Sequence, residues 1–106
     1  MGNERRYLQQ TASEGLSNMN LAQVKEHIIY ILDEYMDVKA KLLYFAMFFK
    51  EENERFYFDP VEYQALSGAD SLQQLNYLLY VLSEEHGLID IFVDDDKERH
   101  IQLRHI

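Results

Sequence analysis

Apolar residues recur along this chain in two distinct periods. Leu21, Val24, Ile28, Ile31, Leu32 and Tyr35 follow one another at spacings of three and four, and Asn20 with Gln23 supplies a capping-box start ahead of them. This pattern predicts an amphipathic helix over 20–36, with Asp37 as a break or bend before a second helix. In that second helix Leu42 to Phe49 is a run of eight residues without a charged side chain. A helix with no polar face has to be covered by its own domain on one side and by something else on the other. Arg55 to Phe58 is a short aromatic run suited to a strand, stopped by Asp59 and Pro60. Asp59 as N-cap, Pro60 at the first helical position and Glu62 in the first turn predict a short helix from Pro60 to Leu66. Gly68 ends that helix, and Ser71 with Gln74 repeats the capping box for the next. There Leu72, Leu75, Leu78, Leu79 and Leu82 form the expected buried stripe. Gly87 and Leu88 supply a Schellman-type end. From Ile89 the period drops to two. Ile89, Ile91 and Val93 alternate with Asp90 and Phe92, a turn follows at Asp94 to Lys97, and Arg99, Ile101, Leu103 and His105 alternate with His100, Gln102 and Arg104, which predicts a β-hairpin.

The expected fold is therefore mainly α with a small β-hairpin: a polar tail over 1–19 and one domain over 20–106, divided into the N-terminal helix 20–36 and a core 39–106. A length of 106 residues with 47% hydrophobic side chains suffices for one core. With no cysteine the chain has no disulfide, thiol nucleophile or Cys-based zinc site. The eight-residue apolar run is far short of the roughly 20 residues that cross a membrane. The polar stretch Met1 to Asn20 lacks an apolar signal core, so a cytoplasmic protein is expected.

The succession helix, short strand, helix, turn, longer helix and hairpin is that of winged-helix domains. Gly87-Leu88-Ile89-Asp90-Ile91-Phe92-Val93, the turn Asp94-Asp95-Asp96-Lys97 and the following Arg99 resemble the helix end and wing of MarR-type regulators. The resemblance covers roughly Lys39 to Ile106. It implies a winged helix with an extra N-terminal helix, in which Ser71 to His86 is the recognition helix and Asp94 to Lys97 the wing tip. A shorter stretch of about twenty residues, Lys41 to Ala46 followed by Phe58-Asp59, is similar to a signature of Panacea-type antitoxin domains.

Charge changes the functional expectation. Phe56 to Asp96 contains no Lys or Arg in 41 residues but carries Asp59, Glu62, Asp70, Glu84, Glu85, Asp90, Asp94, Asp95 and Asp96. Those nine acids equal the net charge of -9, since the remaining ten acids are balanced by ten Lys plus Arg. A surface that binds DNA gains most of its affinity by neutralising phosphates, and this half of the chain has little to do it with. With the leucines buried, the open face of the recognition helix would show Gln73, Asn76, Tyr77, Tyr80, Ser83 and Glu84. The leading expectation is accordingly a non-catalytic adaptor, accessory subunit or regulator that meets a protein partner, plausibly a basic one, through Gln73, Asn76, Tyr77, Tyr80, Glu84, Asp94, Asp95 and Asp96. The alternative is a sequence-specific DNA-binding regulator using Gln73, Gln74, Asn76 and Tyr77, with Arg99 and Arg104 at the wing and Arg5 and Arg6 as a tail contact. A third reading is a DNA mimic that occupies a nucleic-acid-binding protein.

Other chemistry finds no support in the spacings. His27, His86, His100 and His105 do not pair at i,i+4 or H-x-H intervals and are expected at the surface rather than on a metal. The three consecutive aspartates lack the calcium-loop pattern. No glycine-rich phosphate loop or nucleophile elbow is present, so neither a cofactor nor catalysis is expected. The first helix, with Leu21, Val24, Ile28, Tyr30, Ile31 and Tyr35, can pack on the all-apolar second helix and on another chain, which implies a homodimer or a hetero-complex.

Overall fold

The computed structural model describes residues 19–51 and 54–104. The proposed tail contacts Arg5 and Arg6 and the last histidine, His105, lie outside them. Four α-helices and a three-stranded antiparallel sheet follow in the order α1 (Leu21–Asp33), α2 (Val38–Lys50), β1 (Phe56–Tyr57), α3 (Pro60–Ser67), α4 (Leu72–Tyr80), β2 (Ile89–Val93) and β3 (Arg99–Leu103). The mainly α expectation with a small hairpin holds.

Local chemistry explains most of the boundaries. Asn20 Oδ1 accepts from the Gln23 amide at 2.8 Å while Gln23 Oε1 accepts from the Asn20 amide at 2.9 Å, a complete capping box. Helix α1 ends at Asp33, three residues before the predicted 36, because Asp37 serves as the N-cap of α2 and its carboxylate accepts from the Lys39 amide. Tyr35 and Met36 therefore belong to a linker. Asp59 caps α3 behind Pro60, and Gly68 closes it at φ 77. Ser71 caps α4 as expected, but Gln74 departs from the predicted box. Its side chain reaches one residue further back, to the Asp70 amide at 2.6 Å.

The predicted helix Ser71 to His86 is interrupted. After Tyr80 the chain widens into a π-turn over Val81–Glu85, with the His86 amide reaching the Val81 carbonyl. Ser83 Oγ bonds back to the Leu79 carbonyl at 2.8 Å within this transition. Val81 and Leu82 are both buried, and Gly87 at φ 62 then turns the chain into β2. In the sheet, β3 lies between β1 and β2, with Ile91 opposite Ile101 and Phe56 also opposite Ile101.

The core forms around α2, whose Ala40, Leu43, Tyr44, Met47 and Phe48 are buried against Tyr63, Leu75, Leu78, Leu79, Leu82 and Ile101. Two expected positions are corrected. Leu72 stays half-exposed, because it opens α4 before the stripe turns inward. His27, expected at the surface, is 7% exposed and bonds through Nε2 to the Tyr44 hydroxyl at 2.7 Å. A buried phenol needs a partner, and the imidazole provides it from the opposing helix. A second phenol, Tyr63, donates to Glu51 Oε2 at 2.5 Å and ties the end of α2 to α3.

Burial holds the His27 pKa below the usual 6.5. Its Nδ1 is buried without a partner, so protonation would add a buried charge. The unfolded chain takes up this proton near pH 6.5 and the folded chain only at lower pH, so the contribution to stability is complete above about 6.5 and is lost as pH falls below it. Urea unfolding at stepped pH should show this decline. His27→Leu should remove its share of the slope while costing about 1 kcal/mol at neutral pH for the orphaned Tyr44 hydroxyl.

Candidate interaction surface

Helix α4 buries Leu75, Leu78 and Leu79 and turns Gln73, Asn76, Tyr77 and Tyr80 outward, with Glu84 exposed on the π-turn. Tyr77 and Tyr80 are each 52% exposed. Their rings thus offer apolar area with a wet hydroxyl, the combination that protein interfaces favour. Tyr77 also borders an open groove formed with Tyr35, Met36, Val38, Leu42 and Val81, which brings the α1–α2 linker beside α4. Tyr35 is 98% exposed at its rim.

The sites expected from the sequence divide on inspection. Gln74 is occupied internally, since its Oε1 accepts from the Asp70 amide and from Lys39 Nζ at 3.3 Å. Asn76 and Arg99 bond to each other, with Nη1 to Oδ1 at 2.6 Å, and Arg99 also lies over the Phe58 ring. Arg104 donates through Nε and Nη2 to Asp90 Oδ1 at 2.9 and 2.6 Å. Asp90 is held below the usual carboxylate range, chiefly by its hydrogen bond to that guanidinium. Of the two arginines proposed as wing cations, Arg104 is thus paired with a carboxylate of its own chain, while Arg99 is tied to a neutral amide and keeps its charge.

The hairpin turn is likewise built by its acids. Asp94 Oδ1 accepts from the amides of Asp96 and Glu98 at 3.0 and 2.9 Å, and Lys97 takes a left-handed φ of 67. Asp94 is thus first a turn-forming residue. Asp95 and Asp96 are exposed, and no shorter role competes for their charge in the described contacts. The remaining histidines do not converge: His86 Nδ1 lies 3.2 Å from Glu34 and His100 Nδ1 3.8 Å from Asp94. Among the described residues no three His, Asp or Glu side chains are placed to hold a metal, and no helix is long and apolar enough to cross a membrane.

The expected oligomer residues also divide. Ile31 is fully buried in this chain and Val24 packs against the same core, so both face inward because α1 rotates His27 and Ile31 toward α2. Leu21 and Tyr35 are exposed, Tyr30 is 44% exposed, and Ile28 is half-buried. Sequence reasoning missed Phe49, half-exposed at the end of α2, and Arg55, whose guanidinium sits 3.5 Å from the centre of the Phe92 ring. The all-apolar character of α2 was the available signal for the first; nothing local pairs Arg55 with a residue 37 positions away.

A double-mutant cycle on Asn76 and Arg99, read by urea unfolding of N76A, R99A and the double variant, should give a coupling of about 0.5–1 kcal/mol, small because the pair is exposed. Comparison of this chain with family models, with curated proteins and with solved structures returns no match.

Proposed function

We propose that this chain is a non-catalytic, cytoplasmic protein of winged-helix type that works by docking a protein partner on the exposed face of α4 and the neighbouring hairpin tip. The order of elements, with α4 leading into a two-stranded hairpin, supports the winged-helix part of this reading. The observation that carries the functional part is the internal capture of Arg99 by Asn76 and of Arg104 by Asp90. In a domain of this kind those side chains would be the ones to grip phosphates. Here Arg104 is paired with the Asp90 carboxylate and Arg99 is held by the Asn76 amide over the Phe58 ring, and the side chains left outward are Gln73, Tyr77, Tyr80, Glu84, Asp95, Asp96 and Lys97.

Such a surface has two separable parts. The tyrosines supply area that desolvates well and loses little rotamer freedom, which is the character of an interface hot spot. The acids act at longer range, speeding the approach of a cationic partner and fading as salt is added. A polyanion would be repelled by the same field.

Fluorescence anisotropy with generic duplex at low salt should show no binding at protein concentrations where cationic DNA-binding domains associate nonspecifically, roughly 10⁻⁶–10⁻⁴ M. Salt-sensitive association there would instead favour the DNA-binding alternative. With a partner recovered from the native host, Tyr77→Ala with Tyr80→Ala should weaken binding by about 2 kcal/mol or more, chiefly through faster dissociation. Asp95→Asn with Asp96→Asn should slow association and flatten its salt dependence. Displacement of that partner by duplex DNA would point to mimicry.

A further inference from the structure

The two N-terminal helices pair antiparallel. Lys41 of α2 donates to the Leu32 carbonyl of α1 at 2.6 Å, while His27, further back on α1, meets Tyr44 and Phe48, further forward on α2. The short linker between Asp33 and Val38 enforces the same arrangement. At 100° per residue, His27 and Ile31 on α1 and Lys41, Tyr44 and Phe48 on α2 form the seam between the helices. Leu21, Ile28 and Leu32 lie on one flank of that seam, and Leu42, Phe45 and Phe49 lie on the flank displaced in the same rotational sense. In an antiparallel pair, flanks displaced in the same sense share one side. The hairpin thus presents a second apolar face, while Ala40, Leu43 and Met47 on the opposite flank of α2 are buried in the core with α3 and α4.

This face is uncovered by the rest of the described chain. Leu21, Leu32, Leu42 and Phe49 are 82%, 54%, 47% and 51% exposed, and Ile28 and Phe45 are partly so. With adjoining Val38, also exposed, the stripe leaves on the order of 500 Å² of apolar surface in water, taking about 150 Å² for each fully exposed large side chain. A standard interface takes ~800 Å² from each partner and is roughly 56–65% apolar, so the stripe supplies the apolar share of one such interface.

Charge decides where two copies can meet. Residues 19–51 carry five acids (Glu26, Asp33, Glu34, Asp37 and Glu51) against four lysines (Lys25, Lys39, Lys41 and Lys50), a net of −1, whereas Phe56 to Asp96 carries nine acids and no cation. Two copies meeting through the acidic segment would repel each other. Two copies meeting through the near-neutral hairpin leave their acidic segments on the outer sides. We propose that this face is a self-association surface on which a second copy of the chain stacks its own α1–α2 hairpin, giving an isologous four-helix contact. Val38 and Leu42 also line the groove beside Tyr77, so this face adjoins the α4 surface, but the inference needs no partner bound there.

Sedimentation equilibrium of the full chain tests it. The wild type should pass with concentration from the 12.7 kDa of one chain toward twice that mass, and its melting temperature should rise with concentration. Leu32→Glu with Phe49→Glu places charge on two exposed positions of the face and should give a monomer with wild-type circular dichroism and a concentration-independent melt. Leu72→Glu, an equally exposed apolar-to-acid change at the start of α4, should leave the dimer intact. The proposal is overturned by a wild type that is monomeric at every concentration, whether or not the face then takes up a different protein or a lipid vesicle. A dimer that survives L32E/F49E, or one that L72E dissolves as readily, overturns it equally.

Discussion

Between Lys41 and Lys50 helix α2 has no polar face, and the rest of the domain is arranged by the need to cover it. Leu43 and Met47 on one side are closed over by the leucines of α4 and by Tyr63 of α3; Tyr44 and Phe48 on another are met by α1. Burial of this kind stabilises by roughly 25 cal/mol for each Å² taken from water, which is why a helix rich in aromatic residues can organise three neighbours. Tyr44 sets the one polar condition. Its hydroxyl enters the core with the ring and must be hydrogen-bonded there, so α1 is placed by a polar requirement as well as an apolar one. The sheet takes part through Ile89, Ile101 and Leu103 and does not reach α1 by any hydrogen bond among the described residues.

What could be read directly from the sequence was the chemistry that acts over three or four residues. Asn20 with Gln23, Asp59 with Pro60, and Gly87 before an alternating run each state a boundary by themselves, because a cap is satisfied within one helical turn. The rotation of α1 was harder. Its apolar residues cover more than half its circumference, so spacing alone does not choose between a seam on Ile28 and Leu32 and one on His27 and Ile31. The Tyr44 hydroxyl decides it, seventeen residues away. The π-turn was equally hidden, since it moves the amide partner from i−4 to i−5 without a residue type that marks the change.

The candidate surface divided along the same line. That α4 would show Gln73, Tyr77 and Tyr80 followed from burying its leucines. That Arg99 and Arg104 would be captured did not follow, since each partner lies on a different element: Asn76 on α4 and Asp90 on β2. Alternation along 99–105 placed both arginines in the β-hairpin but carried no information about what stood beside them, and Arg104 lies at its base, where its amide meets the Leu88 carbonyl, rather than near the tip. Asp94 shows the converse. One of three identical neighbours, it alone turns its carboxylate onto two backbone amides, and only the turn geometry separates it from Asp95 and Asp96.

The distribution of charge joins these observations. An acidic segment without a cation would oppose its own folding through like-charge repulsion if its carboxylates were close and unscreened. The structure answers by drawing Arg104 onto Asp90, Lys39 onto Asp70 and Lys50 onto Glu62, each from outside the segment. Cations thus reach from the flanking sequence to the acidic half. The α1–α2 hairpin keeps an apolar flank, while α4 and the tip of the β-hairpin keep acids outward. Under the two proposals, association at the α1–α2 face would respond mainly to temperature and association at α4 and the β-hairpin tip mainly to ionic strength, because hydrophobic contact is nearly insensitive to screening and exposed ion pairing is not.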